Sequence, residues 1–148
     1  MKKIKMLTVL FLASLFIGAN AFAQTVGVVN YAQVMSNYNY AKEVGKTLDN
    51  KTTELQQYML DKEKQYKNIN SPVERKNFED KVQKEYKAKV DAVQKLRIQK
   101  EEEIYNNIQA VIKRVATQKK IDVVVESSVI LMGGVDITKE VVTGLNSK

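Results

Sequence analysis

The sequence predicts a mainly α-helical protein in which a long antiparallel helical hairpin projects as an arm from a small body of short β-strands. No glycine occurs in the 87 residues between Gly45 and Gly133, and Pro72 is the only proline in the chain. Glycine and proline are the residues that most often interrupt helices, and good helix formers are abundant in this stretch. Two long helices that meet near Pro72 are therefore expected. Outside them, short runs rich in valine predict the strands.

The first 23 residues have the order of a cleaved secretory signal peptide. Lys2, Lys3 and Lys5 form a basic start, residues 6–17 are an apolar run, and Ala21-Phe22-Ala23 is a small-residue cleavage site. A membrane-spanning helix needs about 20 apolar residues, so this run is too short to be one. The pattern predicts export across the inner membrane.

Cleavage after Ala23 leaves a single domain, residues 24–148, with 21 basic and 17 acidic side chains and a net charge of +4. It contains no cysteine and no histidine. This composition argues against disulfides, zinc sites, thiol nucleophiles and histidine acid–base catalysis. The P-loop motif G-x-x-x-x-G-K-[ST] does not occur, which argues against ATP-driven action. The sequence predicts a protein that is not an enzyme and binds no cofactor.

The sequence indicates where the two long helices are joined. The descending helix is predicted over residues 41–68 and the returning helix over residues 72–119. Ser71 can cap the returning helix, Pro72 suits its first turn, and Glu74 completes a capping box. This is the most specific local pattern in the chain, and it predicts where the hairpin turns.

The helices, residues 41–119, are expected to form the arm, with residues 24–40 and 120–148 as the body. A returning helix of about 70 Å is longer than a compact domain of this size is wide. From Glu74 to Glu103, 17 of 30 residues are charged, so this part is predicted to stand in solvent with a thin apolar seam. Nearer the end of the helix a wider apolar face predicts burial in the body: Ile104, Ile108, Val111, Ile112 and Val115.

Three short strands and a final helix are predicted for the body. The strands are residues 25–29, 121–125 and 129–132, and a turn at residues 127–128 joins the last two as a hairpin. Asp136 is expected to cap the final helix. Alternating residues of these strands are predicted to line a core shared between copies of the chain: Val26, Val28, Val123, Val125 and Ile130. Because so small a sheet has little core of its own, the sequence predicts self-association.

Three motifs resemble the Skp/OmpH family of periplasmic chaperones: Val-Gly-Val-Val-Asn at residues 26–30, Ile-Asp-Val-Val-Val at residues 121–125 and Val-Asp-Ile-Thr at residues 135–138. With the signal peptide and the charged hairpin, the resemblance covers the whole mature chain. It implies a jellyfish-shaped homotrimer in the periplasm that holds unfolded outer-membrane proteins between its arms, without ATP, during their transit. It also implies binding to lipopolysaccharide or an anionic membrane surface, for which no residue is assigned.

A holdase must contact its clients through many weak and adaptable sites. Aromatic and methionine side chains on the arm suit that role, and five are candidates for client contact: Tyr58, Met59, Tyr66, Phe78 and Tyr86. The alternative interpretation is that these side chains only hold the two helices together.

Charge gives the arm a second candidate role. Residues 42–119 carry 18 basic and 13 acidic side chains, a net charge of +5. Basic arms attract acidic clients and anionic surfaces in a salt-sensitive way. Four lysines are candidates for this steering: Lys81, Lys84, Lys87 and Lys89. The alternative is an ordinary solvated helix face.

Other classes of protein remain as alternatives. A trimeric coiled-coil spacer of the cell envelope would share the arm but bind no client, and it would be expected to have a tighter heptad seam than residues 74–103 show. Nucleic-acid binding is not expected, because acidic residues interleave with the basic ones and export places the chain in the wrong compartment.

Overall fold

The computed structural model describes residues 24–147. The predicted signal peptide, residues 1–23, lies outside the described residues. The helices of the described part are α1 (Tyr31–Asn37), α2 (Asn39–Lys67), α3 (Pro72–Lys119) and α4 (Thr138–Asn146). Its strands are β1 (Val26–Val29), β2 (Val123–Glu126) and β3 (Val135–Asp136), with a 3-10 turn at Ser127–Val129. The fold is mostly helical with one small sheet, as the sequence predicts.

The sheet is parallel, with β1 in the centre and β2 and β3 on its two sides. Val26 pairs with Val123, and Val28 pairs with Val125. Side chains alternate between the two faces along a strand, so these four valines share one face of the sheet. Val29 lies on the opposite face, where it is buried in the core.

The predicted hairpin at the C-terminal end is wrong. Residues 129–132 form no strand: the chain makes a 3-10 turn at Ser127–Val129, continues as a loop, and enters its third strand only at Val135–Asp136. A hairpin would make β2 and β3 antiparallel neighbours, whereas both flank β1 in parallel. The chain must therefore travel back along the sheet before β3 begins. Sheet topology overrides the β propensity of this apolar run.

The long helices lie close to their predicted bounds. α3 begins at Pro72, as predicted, and the side chain of Ser71 accepts a long hydrogen bond (3.5 Å) from the backbone N–H of Glu74. α2 begins at Asn39, two residues before its predicted start. The reason is a contact distant in sequence, because Oδ1 of Asn146 accepts a hydrogen bond from the N–H of Asn39 (2.9 Å).

Contacts between α2 and α3 run in opposite directions along the two helices. Four tyrosine hydroxyl groups at or just before α2 bond to side chains of α3: Tyr38 with Asn107 (3.2 Å), Tyr40 with Lys100 (2.7 Å), Tyr58 with Glu85 (2.6 Å) and Tyr66 with Glu79 (2.7 Å). In all four pairs, the residue number of the α3 partner falls as the number of the tyrosine rises. The two helices are thus in contact from the body to the turn that joins them.

The hydrophobic core lies around the last third of α3. The five residues predicted to be buried there are buried, which confirms the prediction of a wide apolar face: Ile104, Ile108, Val111, Ile112 and Val115. Val34 of α1 and Val141 of α4 pack into the same cluster with no exposed surface. Farther along α2, toward the turn, the last buried residue is Leu48. The remainder of the hairpin has no enclosed core among the described residues.

The start of α4 differs by one residue from the prediction. Ile137 is the residue at its N-cap, and Asp136, the predicted cap, precedes it. The carboxylate of Asp136 still accepts a hydrogen bond from the N–H of Thr138 (2.9 Å), and bonding to Thr138 lowers the pKa of Asp136. The hydroxyl of Thr138 accepts in turn from the N–H of Asn30 (2.9 Å), which ties α4 to the end of β1.

Candidate functional site

An open groove runs between α2 and α3 near the segment that joins them. Its volume is about 1000 Å³, and most of its surface is apolar. We call it the interhelical groove. Apolar side chains line it from both helices: Leu55, Met59, Leu60 and Tyr66 from α2, and Phe78, Val82 and Tyr86 from α3. Four other concave surfaces of the described residues are smaller, with volumes of about 160 to 640 Å³.

The spacing of these residues explains why the groove forms. Phe78, Val82 and Tyr86 follow one another at steps of four, which places them along one face of α3. Leu55 and Met59 have the same spacing on α2. Two helices alone cannot enclose such a pair of faces, so large apolar surfaces stay in contact with solvent: Met59 is 41%, Leu60 53% and Tyr86 37% exposed.

Four of the five predicted client-contacting residues come together in this groove. Met59, Tyr66, Phe78 and Tyr86 all line it, and the rings of Tyr66 and Phe78 lie 6.3 Å apart across the two helices. Tyr58 does not line the groove. That these residues touch a client stays a prediction.

Tyr58 and Tyr66 also connect the two helices, as the alternative interpretation proposes. The hydroxyl of Tyr58 donates to Glu85 and that of Tyr66 donates to Glu79. Partial burial and the bond to Glu85 raise the pKa of Tyr58 to about 12, and the bond from Tyr58 lowers the pKa of Glu85. At neutral pH the Tyr58–Glu85 pair therefore consists of a protonated phenol and an ionised carboxylate, the arrangement that makes strong hydrogen bonds. Tyr66 has two roles, since it is both a cross-link and part of the groove wall.

Lys62, which the sequence did not single out, also lines the groove. Its ammonium nitrogen is 5.3 Å from the ring centre of Tyr58 and 5.9 Å from that of Phe78. Lys62 is thus a cation placed over aromatic faces from both helices. The signal was available, because Lys62 lies four residues after Tyr58 and four before Tyr66 on one helix face.

The four lysines predicted to steer clients are all exposed on α3. They do not have the same surroundings. Nζ of Lys81 lies 3.9 Å from Oε1 of Glu85. The ammonium group of Lys89 lies 5.1 Å from the ring centre of Tyr58. Lys84 and Lys87 form no ion pair within the described residues. Steering by these lysines stays a prediction.

The residues predicted to line a shared body core lie on the sheet face away from the chain's own core. Val26, Val28, Val123 and Val125 are paired on that face, and Val123 is 42% exposed. Ile130, the fifth, lies in the loop after the 3-10 turn and belongs to no strand. The core shared between copies of the chain stays a prediction.

Residues 24–147 contain no group of three or more acidic, cysteine or histidine side chains arranged to hold a metal ion. Over the same residues, no helix combines the length and the apolar composition needed to cross a membrane.

The sequence was compared with known proteins. A family model described as "Outer membrane protein (OmpH-like)" matches residues 25–145, which is most of the chain. No curated protein matches the sequence. The matched span includes the sheet, both long helices and nearly all of α4, and it covers the three motifs on which the resemblance rests. The chain therefore belongs to the OmpH-like family.

Proposed function

We propose that this chain is an ATP-independent periplasmic holdase that binds unfolded outer-membrane proteins and prevents their aggregation on the way to the outer membrane. Membership of the OmpH-like family implies, in general, a periplasmic chaperone of outer-membrane proteins and not an enzyme. The holdase activity of this particular chain and the absence of a nucleotide requirement are the parts that we propose.

The observation that carries the proposal is the interhelical groove. Its walls present Met59, Leu60 and Tyr86 with about two fifths to one half of their surface exposed. An isolated stable protein rarely leaves apolar surface of this extent uncovered, and such patches mark sites of interaction. Methionine and aromatic side chains adapt to partners of varied shape. A groove of this kind fits a client whose sequence is not fixed.

We infer that α2 and α3 form an antiparallel hairpin arm. The opposed order of their tyrosine contacts supports this arrangement, since Tyr66 meets Glu79 near the turn and Tyr38 meets Asn107 near the body. α3 has 48 residues and is therefore about 70 Å long. An arm of this length holds the groove well away from the buried core.

We also propose that the chain assembles as a homotrimer through its sheet. One face of the sheet carries Val26, Val28, Val123 and Val125, which the chain's own helices leave partly uncovered. The following loop presents Leu131 and Met132 to solvent at 98% and 86% exposure. Covering these side chains with other copies would remove a large apolar area from water. The number three comes from the family resemblance.

Lipopolysaccharide and anionic membrane surfaces are proposed as further partners on the basis of charge. The net charge of +5 on residues 42–119 favours contact with anions. No site for them is assigned to particular residues.

The direct test dilutes an unfolded outer-membrane protein from urea into buffer without nucleotide and follows its aggregation by light scattering. We expect a few-fold molar excess of the chain over the client to suppress aggregation. An unrelated helical protein at the same mass concentration serves as the control. Aggregation that proceeds unchanged would contradict the proposal.

A trimeric coiled-coil spacer of the cell envelope is the second candidate. The cross-links between Tyr58 and Glu85 and between Tyr66 and Glu79 favour it, because they stiffen the hairpin without any client. A spacer needs no apolar groove, so replacement of Leu60 by glutamine would leave its assembly and stability nearly unchanged. In the holdase the same replacement weakens suppression of aggregation.

A further inference from the structure

The net positive charge of the two long helices is not spread evenly along them. Residues 42–103 carry 15 basic and 13 acidic side chains, a net charge of only +2. Residues 104–121 carry four basic side chains and no acidic one. This second segment is the end of α3 that packs into the hydrophobic core. The charge that could attract an anionic surface is therefore concentrated at the body and not along the hairpin.

The four acidic side chains of the body are engaged within the chain, whereas several of its lysines are not. Each carboxylate has a partner: Asp122 the N–H of Thr25 (2.8 Å), Glu126 the N–H of Tyr31 (3.0 Å), Asp136 the N–H of Thr138 (2.9 Å) and Glu140 the ammonium group of Lys119. Three exposed lysines of this region form no ion pair within residues 24–147: Lys113, Lys120 and Lys139. Their charges are available to a partner.

Helix stability explains only one of these three lysines. A cation at the end of a helix interacts favourably with the helix dipole, and Lys120 is the C-cap of α3. Lys113 lies about two turns before that end, and the effect of the dipole falls off within one turn. Lys139 lies in the first turn of α4, where a positive charge is unfavourable. The positions of Lys113 and Lys139 are therefore not explained by the helices that carry them.

The arrangement of the three lysines suits a broad surface better than a single acidic segment. Lys113 and Lys120 lie two turns apart on the same side of α3, about 10 Å from each other. Lys139 is close to Lys120 in the fold, because the residues next to them, Glu140 and Lys119, form an ion pair. The concave surface between α3 and α4 that Lys139 lines does not include Lys113 or Lys120. A charged bilayer acts on every cation within about 8–10 Å and needs no shaped site.

We propose that the body docks on the surface of an anionic phospholipid bilayer through Lys113, Lys120 and Lys139, and that this contact leaves the hairpin free of the lipid. This inference rests on the proposed function, because it gives the anionic membrane partner a position on the chain. The groove residue nearest to the body on α3 is Tyr86, which lies about 40 Å along the helix from Lys113. A chain held in this way would keep its interhelical groove open to clients.

The test measures co-sedimentation of the mature chain with vesicles of phosphatidylcholine, either pure or containing phosphatidylglycerol. We expect binding to the anionic vesicles only, and we expect it to weaken as salt is added. One basic side chain at such a surface strengthens binding about fivefold. Lys113→Gln/Lys120→Gln/Lys139→Gln is therefore expected to weaken binding at least about tenfold.

A matched variant of the hairpin controls for net charge. Lys84, Lys87 and Lys95 are exposed on α3 and form no ion pair within the described residues. Replacing these three by glutamine removes the same number of charges and is expected to weaken vesicle binding by less than about twofold, because they lie beyond the range of a surface that contacts the body.

Fluorescent labels report which end of the chain meets the lipid. The chain contains no cysteine, so one introduced cysteine can carry an environment-sensitive dye. Gln118→Cys places the dye at an exposed position near the end of α3, and Asn70→Cys places it at the turn of the hairpin. With anionic vesicles we expect the emission of the first dye to shift to shorter wavelength and that of the second to stay unchanged. These labels test the site even if the triple body variant fails to fold.

The opposite outcomes would overturn the inference. Equal weakening in the two triple variants would attribute binding to net charge alone, and a shift of the dye at position 70 would place the hairpin on the lipid. Binding to lipopolysaccharide micelles with none to phosphatidylglycerol vesicles would exclude a phospholipid bilayer as the partner. Suppression of aggregation by the body variant, measured without lipid, separates these outcomes from failure of the proposed holdase function.

Discussion

The two ends of α3 use similar residues for opposite purposes. Near the body, Ile104, Ile108 and Val115 are each at most 5% exposed, and the apolar stripe is broad enough to need cover from several elements. Near the turn, Phe78, Val82 and Tyr86 form a stripe one residue wide, and α2 covers it only in part. The apolar residues near the turn recur only at steps of four, whereas those near the body also recur at steps of three and so form a wider stripe. The width of the apolar stripe therefore decides whether a segment becomes core or binding surface.

This difference also separates stability from function within one helix. The body end contributes burial, so changes there act on folding. The turn end contributes exposed apolar surface, which the proposed binding of varied clients would use. Regions with few buried contacts open more readily, so the groove is also expected to be the more adaptable end.

The sharpest way to test this comparison is to remove the same side chain from a buried and from an exposed position of α3. Ile108 is fully buried and Ile98, ten residues earlier on the same helix, is 56% exposed. Ile108→Ala is expected to lower the free energy of unfolding by about 2–5 kcal/mol, because it leaves a cavity in the core. Ile98→Ala is expected to change it by less than about 0.5 kcal/mol. Urea unfolding followed by helical circular dichroism, at one protein concentration, measures both.

Similar losses in the two isoleucine variants would mean that the arm is packed as tightly as the body. A groove that remains open to clients would then be untenable, and the spacer interpretation would gain support.

The next largest effect is expected on assembly. Val125 lies half-buried on the sheet face that we propose to be shared between copies. Val125→Asp would place a charge in that interface and is expected to weaken association about 100-fold, which corresponds to about 3 kcal/mol. Sedimentation velocity over a range of concentrations measures the shift. Val90→Asp, at a position on the arm that is 37% exposed, is the control and should assemble normally.

A Val125→Asp protein that stays fully trimeric at micromolar concentration would place this valine outside the interface. It would also leave the partly exposed valines of this sheet face without the proposed explanation, which is that other copies of the chain cover them.

The comparison of the two regions also shows what could be read from the sequence. The long helices were predictable because their signals are local: Ser71 and Pro72 start α3, and its wide apolar face predicts the core around Ile108. The start of α2 was missed by two residues because it depends on Asn146, which lies 107 residues away. α1 was not predicted either, although Asn30 caps it by accepting from the N–H of Gln33 (2.8 Å) and marks its start in the sequence.

The strand error and the groove have a common cause. Residues 129–132 have strand-forming composition, but pairing depends on which partners the sheet leaves available, and β1 lies between β2 and β3. In the same way, Met59 and Phe78 were identified as candidates from the sequence. Lys62 lies over the rings of both Tyr58 and Phe78 only because the two helices approach each other. Contacts between distant segments set both results, and a single sequence does not show them.

The third prediction concerns the hydrogen bond between Tyr58 and Glu85, which joins α2 to α3. Its expected contribution to stability is smaller than the effects above. Tyr58 ionises near pH 10 in an unfolded chain, but in the folded chain its pKa is raised to about 12. The stability that this raised pKa represents is therefore present below about pH 10 and is lost as the pH rises toward about 12. We expect the free energy of unfolding to fall across this pH window. Tyr58→Phe should abolish the part of this fall that comes from ionisation of Tyr58. Phenolate absorbance and urea midpoints across the window measure it.

Tyr31 and Tyr38, near the body, also have raised pKa values, so they provide an internal control. The loss of stability that comes from ionisation of Tyr31 and Tyr38 should persist in the Tyr58→Phe variant. An unchanged alkaline profile in this variant would show that the bond to Glu85 does not stabilise the arm.

The smallest expected effect concerns the rate at which clients arrive. Lys84 and Lys87 lie on α3 near the groove, and Lys42 and Lys46 lie on α2 near the body; all four are exposed. Replacing either pair by glutamine removes two charges, so the global charge changes equally. Exposed charges act over only about 8–10 Å at physiological ionic strength, so a steering role near the groove predicts about a two- to threefold slower association for Lys84→Gln/Lys87→Gln alone. Stopped-flow binding of an unfolded outer-membrane protein at two salt concentrations measures this rate, and the difference between the variants should vanish at high salt. Equal slowing of both variants would attribute steering to net charge, whereas no slowing in either would leave apolar contact in the groove as the sole basis of capture.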